Sequence, residues 1–149
     1  MQRRQWMGAA AAITVLPRVT WAQSPSPSLE AALAAFTGGA PVREGRVTLD
    51  IPPLVENGNA VPVTVAVPGV EAAQVRRLAL FTERNPQPEV LVFTPGPLSG
   101  RAAFSTRMRL ATSQTVVAVA HLADGSPQGV YWQHPVTVVV TLAACVEGG

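Results

Sequence analysis

Cysteine is nearly absent from this sequence. Cys145 is the only cysteine in 149 residues, so no disulfide can form within the chain. Lysine is missing altogether, and all 11 basic residues are arginines, a bias from which no function follows. Aromatic residues make up only 5% of the chain, while alanine and valine supply much of the 48% hydrophobic content. The core is therefore expected to be built from small side chains.

Residues that could form a metal site or a catalytic centre are also scarce. His121 and His134 are not accompanied by a cluster of cysteine, aspartate or glutamate at ligand spacing, so no metal site is predicted. His121 is interpreted as a half-buried strand residue and His134 as a solvated turn residue. Arg76, Arg77 and the arginines of 101–110 are interpreted as solvated strand faces, with attraction of an anionic substrate or partner as the alternative. A Cys-x-x-Cys-His haem motif and a Ser/His/Asp arrangement are missing too. We therefore expect no cofactor and no acid–base machinery.

The long apolar run of a membrane-spanning helix is missing as well. The N-terminal apolar stretch, 7–16, is too short to cross a bilayer and instead fits the centre of an export signal. Arg3-Arg4 precede it in a pattern that resembles the twin-arginine export motif, and small residues precede a cut after Ala22. We predict that residues 1–22 are removed and that the mature protein is periplasmic, exported by the twin-arginine route. An ordinary secretory signal is the alternative.

The formal net charge of +2 overstates the basicity of the mature protein. Without Arg3, Arg4 and Arg18, 8 arginines remain against 9 acids, which gives a net charge of −1 (8 − 9) with neutral histidines. A chain with this balance has no basic field that would attract nucleic acid or an anionic membrane surface. Nucleic acids and membranes are therefore not expected partners.

One domain is predicted over 29–142, after a linker rich in serine and proline at 23–28. Its first element is a short helix over 29–37. Apolar residues recur there at helical spacing, between Ser28 as the N-cap and Gly38 as the C-cap.

After the helix, the apolar period changes from helical to two, which predicts about seven or eight strands. The strand-like stretches are 46–50, 61–67, 75–82, 89–94, 101–110, 115–122, 130–133 and 136–142. One sheet could not bury so many half-apolar strands. We therefore predict an all-β fold, an immunoglobulin-like antiparallel β-sandwich with a short N-terminal helix and a flexible C-terminal arm. Exposed sheet edges, or the valine faces of 61–67 and 136–142, are the expected partner surfaces.

The last segment, 143–149, is expected to be a flexible arm that bears Cys145. Four or five extended residues reach about 13–18 Å, enough to enter the active-site channel of another enzyme. The thiolate of Cys145 would be the attacking species. The residues expected to make the arm slender and flexible are Ala143, Ala144, Gly148 and Gly149. From the residues alone, an incidental thiol, or one that forms an intermolecular disulfide, explains the cysteine as well as a reactive thiol does.

Several stretches of the mature chain resemble the SoxY family of sulfur-carrier subunits. They are 36–39 (FTGG), 55–63 (VENGNAVPV), 81–90 (FTERNPQPEV), 99–102 (SGRA), 105–110 (STRMRL), 117–120 (VAVA) and the turn at 124–125. The combination of Glu-Asn-Gly-Asn with Asn-Pro-x-Pro-Glu-Val is specific, and the resemblance covers nearly all of the mature chain. It implies an immunoglobulin-like fold and a twin-arginine signal.

The resemblance implies a carrier protein and not an enzyme. A SoxY-like protein forms a heterodimer with a SoxZ-like subunit, and its C-terminal cysteine is joined oxidatively to thiosulfate by a c-type haem oxidoreductase. A sulfate-releasing hydrolase and a sulfur dehydrogenase then act on the bound sulfur until the thiol is restored. By position, the attachment of the substrate falls on Cys145. The expected function is thus the covalent transport of sulfur intermediates in thiosulfate oxidation.

The tail departs from the usual family ending, Gly-Gly-Cys-Gly-Gly. Here Ala143-Ala144 replace the first two glycines, and Val146-Glu147 lengthen the end. Alanine restricts the backbone more than glycine does, and the carboxylate of Glu147 repels an anionic adduct. Two alternatives therefore stay open: a divergent paralogue that carries another thiol-linked substrate, and a non-catalytic heterodimer partner with a vestigial tail.

Overall fold

Helix α1, Leu29–Thr37, is the first element of the computed structural model, which describes residues 27–144. The side-chain oxygen of Ser28 accepts a hydrogen bond from the backbone N–H of Ala31 at 3.1 Å and so caps the first turn. Gly38 ends the helix in the left-handed conformation, with φ of 64°, and its N–H donates to the carbonyl of Ala34. The predicted helix and both of its caps are confirmed.

Nine strands follow within the described residues. They are β1 (Val42–Glu44), β2 (Thr48–Asp50), β3 (Leu54–Asn57), β4 (Val61–Ala66), β5 (Val75–Thr82), β6 (Glu89–Phe93), β7 (Ala103–Met108), β8 (Gln114–Leu122) and β9 (Val130–Leu142). A short 3₁₀ turn, Ala72–Gln74, precedes β5. The larger sheet has the order β1-β9-β8-β5-β6, with β3 also paired to β9, and the smaller sheet has the order β2-β4-β7. The two sheets form a sandwich, which confirms the predicted architecture.

The core between the sheets consists of small and medium aliphatic side chains, as the composition predicts. Val61, Val63 and Val65 of β4 are buried together with Leu78 and Leu80 of β5. Full burial of a valine or leucine side chain contributes about 1.5–3 kcal/mol to folding. Because the valines of β4 lie in this core, the prediction that the valine face of 61–67 contacts a partner is wrong.

Strand β9 is continuous, where the sequence predicts two strands and a turn. It pairs with β8 without a break from Val130 to Val138, through Pro135, which lies opposite Val117. Pro135 has no N–H to donate, and it falls between the part of β9 that pairs with β1 and the part that pairs with β3. His134 is consequently a half-buried strand residue with Nδ1 3.3 Å from the carbonyl of Val47. The predicted solvated turn at His134 is wrong.

Strands β1 and β3 lie outside the predicted set. Both run parallel to β9, with Val42 opposite Tyr131 at one end and Leu54 opposite Val139 at the other. The larger sheet is therefore mixed, while the β-strand pairs that the sequence predicts are antiparallel. The two additional strands bring the first half of the chain against both ends of β9.

Helix α1 covers the outer face of the larger sheet. The ring of Phe36 meets Phe81 and Tyr131 edge to face, with centroid distances of 5.6 and 6.0 Å. The guanidinium of Arg77 lies 4.4 Å from the centroid of Phe36 and donates to the Phe36 carbonyl at 3.2 Å. Aromatic and cation–π contacts thus fix the helix on the sheet.

Beside this cluster, His121 stacks on Tyr131 with a centroid distance of 4.2 Å. Its Nε2 lies 2.7 Å from the carbonyl of Gln128, and its Nδ1 is buried with no hydrogen-bond partner among the described residues. Burial lowers the pKa of His121, and the positive charges of Arg76 and Arg77 lower it further. Both arginines are half-buried and donate to backbone carbonyls, so their interpretation as a solvated strand face is wrong.

Candidate functional site

The candidate site is the end of the sandwich from which the C-terminal segment leaves. Cys145, Gly148 and Gly149 lie outside the described residues, and the chain is described as far as Ala144. The described residues immediately before Cys145 hold the chain at the point where the C-terminal segment begins.

Three backbone hydrogen bonds tie the end of β9 to two distant turns. The N–H of Gly58 donates to the carbonyl of Leu142 at 2.8 Å, and the N–H of Leu110 donates to the carbonyl of Gly58 at 2.8 Å. The N–H of Ala144 then donates to the carbonyl of Leu110 at 3.0 Å. Gly58, Leu110, Leu142 and Ala144 together form what we call the arm base. The arm base holds the backbone up to the residue before the cysteine.

Gly58 is required in the arm base because its neighbours come too close for a side chain. A Cβ at this position would lie 2.5 Å from the carbonyl oxygen of Leu110, 3.0 Å from the nitrogen of Ala144 and 3.1 Å from Cγ1 of Val140. Its φ is not in the left-handed region, so the positive φ that an Asn-Gly turn suggests is not the reason for glycine here. Close backbone approach is the reason.

The side chain of Asn57 shapes the turn that presents Gly58. Its Oδ1 accepts from the backbone N–H of Asn59 at 3.0 Å and from Nδ2 of Asn59 at 2.9 Å. Such a local bond stabilises a turn without the help of a strand ladder. The Glu-Asn-Gly-Asn sequence therefore ends β3 and delivers a buried glycine to the end of β9.

A second polar network holds the loop that carries Leu110. Oδ1 of Asn85 accepts from the backbone N–H of Ala111 at 3.0 Å and from Nε2 of Gln114 at 2.9 Å. Nδ2 of Asn85 donates to the carbonyl of Arg109 at 2.8 Å. The buried Gln114 side chain also accepts from the backbone N–H of Arg84 at 2.8 Å. The Asn-Pro-Gln-Pro loop after β5 is thus fastened to both sides of Leu110.

Ser113 fastens the same loop to β9 itself. Its hydroxyl oxygen accepts from the backbone N–H of Val140 at 2.8 Å. Buried or half-buried polar groups that are paired in this way define one arrangement of the backbone, because breaking a pair leaves a donor or acceptor unsatisfied. The end of the sandwich before Cys145 is therefore rigid in its hydrogen bonding.

The two predicted arm residues that the structure describes differ in their surroundings. Ala143 is exposed, whereas Ala144 is buried, with 7% of its surface exposed, and is hydrogen-bonded to Leu110. The prediction that 143–149 is a flexible arm stays a prediction. The sequence predicts a turn at Asn57-Gly58 and the end of a strand at Asn85-Pro86, but it gives no signal that these two turns meet the end of the chain.

Within residues 27–144, no three His, Cys, Asp or Glu side chains lie close enough to hold a metal ion. No helix in that range is long and apolar enough to cross a membrane.

Comparison with known proteins gives two findings. The family model for "sulfur oxidation protein SoxY" matches residues 33–145, a range that ends on the cysteine. The solved structure of the sulfur carrier protein SoxY from Chlorobium limicola f thiosulfatophilum is 30% identical, with a TM-score of 0.64. That similarity covers 77% of this chain and 97% of the Chlorobium chain. A search of curated proteins finds no match.

Proposed function

This chain belongs to the SoxY family, and we propose that it carries sulfur intermediates of thiosulfate oxidation as covalent adducts of Cys145. One observation supports this most directly: the family match extends to Cys145, the only cysteine of the chain. The arm base ends at Ala144, so hydrogen bonds fix the backbone of the residue directly before Cys145. As a SoxY protein, the chain is a sulfur carrier of the periplasmic Sox system, and we propose the twin-arginine route for its export.

The proposed chemistry starts from the thiolate of Cys145, the nucleophilic form of the side chain. An S–S bond forms between Cys145 and the outer sulfur of thiosulfate, which gives a cysteine S-thiosulfonate. The thiol proton is lost when the thiolate forms, two electrons leave as the S–S bond forms, and these electrons pass to a c-type haem oxidoreductase. A hydrolase then adds water and cleaves the S–S bond to the sulfone group, which releases sulfate and leaves a persulfide. A sulfur dehydrogenase then takes six electrons from the outer sulfur of the persulfide, which gains three oxygen atoms from water, and a second hydrolysis releases this sulfur as sulfate and restores the thiol.

The arm base limits how far Cys145 can reach. While Ala144 is bonded to Leu110, Cys145 directly follows a residue that is held on the sandwich. Release of Ala144 frees residues 143–145 beyond the bonded Leu142, three residues that span about 10 Å when extended. We propose that docked and released states of Ala144 exchange, and that partner enzymes act on the released state.

The cost of this release is small. One hydrogen bond contributes about 0.5–1.5 kcal/mol, and exposure of the methyl group of Ala144 costs about 0.8 kcal/mol. The sum, about 1.3–2.3 kcal/mol, corresponds to a released fraction of roughly one chain in ten to one in fifty. A partner that binds only the released arm can shift such an equilibrium with modest binding energy.

A surface for the SoxZ-like subunit lies beside the arm base. Leu54 of β3 and Val139 of β9 face each other in the parallel register and are 61% and 49% exposed. Adjacent large apolar side chains that remain exposed are typical of protein interaction sites. We propose that this pair contacts the partner subunit. Val136, Val138 and Val140 pack in the core, so the valine face expected on 136–142 is wrong as a partner surface, and Val139 on the opposite face of the strand takes its place.

The function is tested by the mass of the intact protein after turnover. Protein that has been incubated with thiosulfate and the haem oxidoreductase should gain a mass that a reductant removes. Cys145→Ser protein is the matched control and should gain none. An unmodified Cys145 under sustained thiosulfate oxidation would refute the proposal. Sulfur oxidation that continues unchanged with Cys145→Ser would favour the heterodimer partner with a vestigial tail.

A divergent paralogue remains the second candidate because of the tail sequence. The Ala-Ala-Cys-Val-Glu-Gly-Gly ending places the carboxylate of Glu147 two residues from the thiol, where it opposes an anionic adduct. A reducible adduct of a mass other than thiosulfonate or persulfide, on protein isolated from its native cells, would support this candidate.

A further inference from the structure

A cavity of about 600 Å³ lies at the end of β9 opposite to the arm base. Its walls come from β1, the turn after β1, the turn after β8 and the start of β9. From Trp132, which lines it, to Leu142 the strand runs over about 33 Å at 3.3 Å per residue. A ligand in this cavity therefore cannot contact an adduct on Cys145, and the cavity needs an explanation of its own.

Two arginines flank the indole of Trp132 in this cavity. The parallel register of β1 and β9 places Arg43 beside Trp132, with its guanidinium carbon 5.8 Å from the ring centroid. The guanidinium carbon of Arg46 lies 5.5 Å from the same centroid. Both arginines are exposed. Arg43, Arg46 and Trp132 form what we call the arginine cavity.

The acid that lines the arginine cavity does not neutralise these two cations. It is Asp124, whose Oδ1 accepts from the backbone N–H of Ser126 at 2.9 Å and from its hydroxyl. The hydrogen bonds from Ser126 lower the pKa of Asp124, which therefore stays charged at neutral pH. The cavity has an unbalanced positive charge. Arg43 and Arg46 supply two positive charges, and Asp124 supplies one negative charge that is already hydrogen-bonded.

The backbone at Arg46 is strained. Its φ of 55° is the only positive φ of a non-glycine residue among the described residues. A left-handed conformation costs about 1–2 kcal/mol for a residue with a Cβ. Arg46 follows Gly45, whose φ is 112°, so the turn after β1 requires a positive φ at two consecutive residues and not only at a glycine. Strain of this kind is retained preferentially at functional positions, and here it holds a cation over the indole.

The size and lining of the cavity select the class of ligand. A volume of about 600 Å³ is far larger than a single oxyanion needs, and sites of about 300–1,000 Å³ bury ligands of drug size, which is enough for a few side chains of a peptide. Leu122, Val130 and Trp132 give apolar surface, and the arginines offer forked donors that match carboxylates. These features fit acidic side chains that alternate with apolar ones.

We infer that the arginine cavity binds an acidic, partly apolar peptide segment of a partner protein, remote from the thiol. Carboxylates of the segment pair with Arg43 and Arg46, and an apolar side chain contacts Trp132. A partner held at this end leaves the arm at the other end free to enter an active site. The inference does not depend on the chemistry of Cys145.

The inference can be tested through the fluorescence of Trp132. The chain has three tryptophans, and Trp6 and Trp21 lie in the predicted export signal, so Trp132 is the reporter in exported protein. The probes are an end-capped hexapeptide with two glutamates around a leucine, its glutamine counterpart, and sodium sulfate. We expect saturable binding of the glutamate peptide with a Kd below about 1 mM and weaker binding at higher salt.

Variants locate the site. Arg43→Gln and Arg46→Gln should each weaken binding of the glutamate peptide about tenfold, as loss of a charge-assisted hydrogen bond predicts. Arg107→Gln, an exposed arginine of β7, and Cys145→Ser should bind as the parent does. Circular dichroism confirms that each variant is folded. Equal binding of the two peptides, an unchanged affinity in both cavity variants, or a response to sulfate alone would overturn the inference.

Discussion

Replacement of Gly58 by alanine should loosen the arm base and expose the segment that leads to Cys145. The added Cβ would lie 2.5 Å from the carbonyl oxygen of Leu110 and 3.0 Å from the nitrogen of Ala144, both of which are backbone atoms. Neither atom can move alone, so the turn at Gly58 and the end of β9 must separate. The hydrogen bonds from Gly58 to Leu142 and from Ala144 to Leu110 are the ones at risk.

The expected loss of stability follows from these contacts. Overpacking of a closely packed position costs about 1–3 kcal/mol, and each of the two hydrogen bonds contributes about 0.5–1.5 kcal/mol. The reduced entropy of the unfolded alanine chain returns about 0.4–1 kcal/mol. The central values of these ranges give a net loss of about 2–3 kcal/mol in the free energy of unfolding, depending on whether one or both hydrogen bonds break.

Denaturant unfolding and hydrogen exchange measure the two parts of this effect. The midpoint of unfolding should fall, and the amide of Ala144 should exchange faster by more than the global change explains. Gly100→Ala is the matched control, because no atom lies within 4 Å of a Cβ there and its φ is not positive. A Gly58→Ala protein as stable as the Gly100→Ala protein, with a protected Ala144 amide, would contradict the reasoning.

Three further predictions concern the body of the protein. Asn85→Ala removes three hydrogen bonds around Leu110, one of which comes from the buried side-chain amide of Gln114. Denaturant unfolding should therefore show a decrease of about 1–3 kcal/mol in the free energy of unfolding. The pKa of His121 is lowered in the fold, so the unfolded chain binds a proton at a higher pH than the folded chain does. The free energy of unfolding should therefore fall as the pH drops below about 6.5 and level off below the folded pKa. His121→Phe, which keeps an aromatic ring on Tyr131, should show a flatter dependence of stability on pH in the same assay. Leu54→Asp should weaken binding to the SoxZ-like subunit in calorimetry with little change in stability, since the side chain is 61% exposed, and unchanged binding would exclude this surface.

The elements that the sequence predicted well are those whose causes are local. Ser28 and Gly38 cap α1 through contacts within one turn, so the helix could be identified from its own residues. Strand β3 has four residues and pairs with the far end of the chain, so its own sequence carries little signal. The continuity of β9 through Pro135 likewise depends on which edges of the strand are occupied by β1 and β3. Non-local pairing decided each of these differences.

The candidate site was the least predictable part for the same reason. The need for glycine at position 58 arises from the carbonyl of Leu110 and the nitrogen of Ala144, which are distant in sequence. Nothing in the Glu-Asn-Gly-Asn stretch itself indicates that it meets the end of the chain. The sequence could give the cysteine, but only the fold shows what holds the residue before it.

The distribution of family-like stretches now has a physical explanation. Glu-Asn-Gly-Asn, the Asn-Pro-Gln-Pro loop and the segment ending in Leu110 converge on the end of the sandwich that bears the C-terminal segment. Each supplies backbone or amide groups whose hydrogen bonds depend on the others, so a change in one is costly unless its partners change too. This mutual dependence accounts for the close resemblance of these stretches to the family, and it extends to Ala144, whose N–H donates to the carbonyl of Leu110.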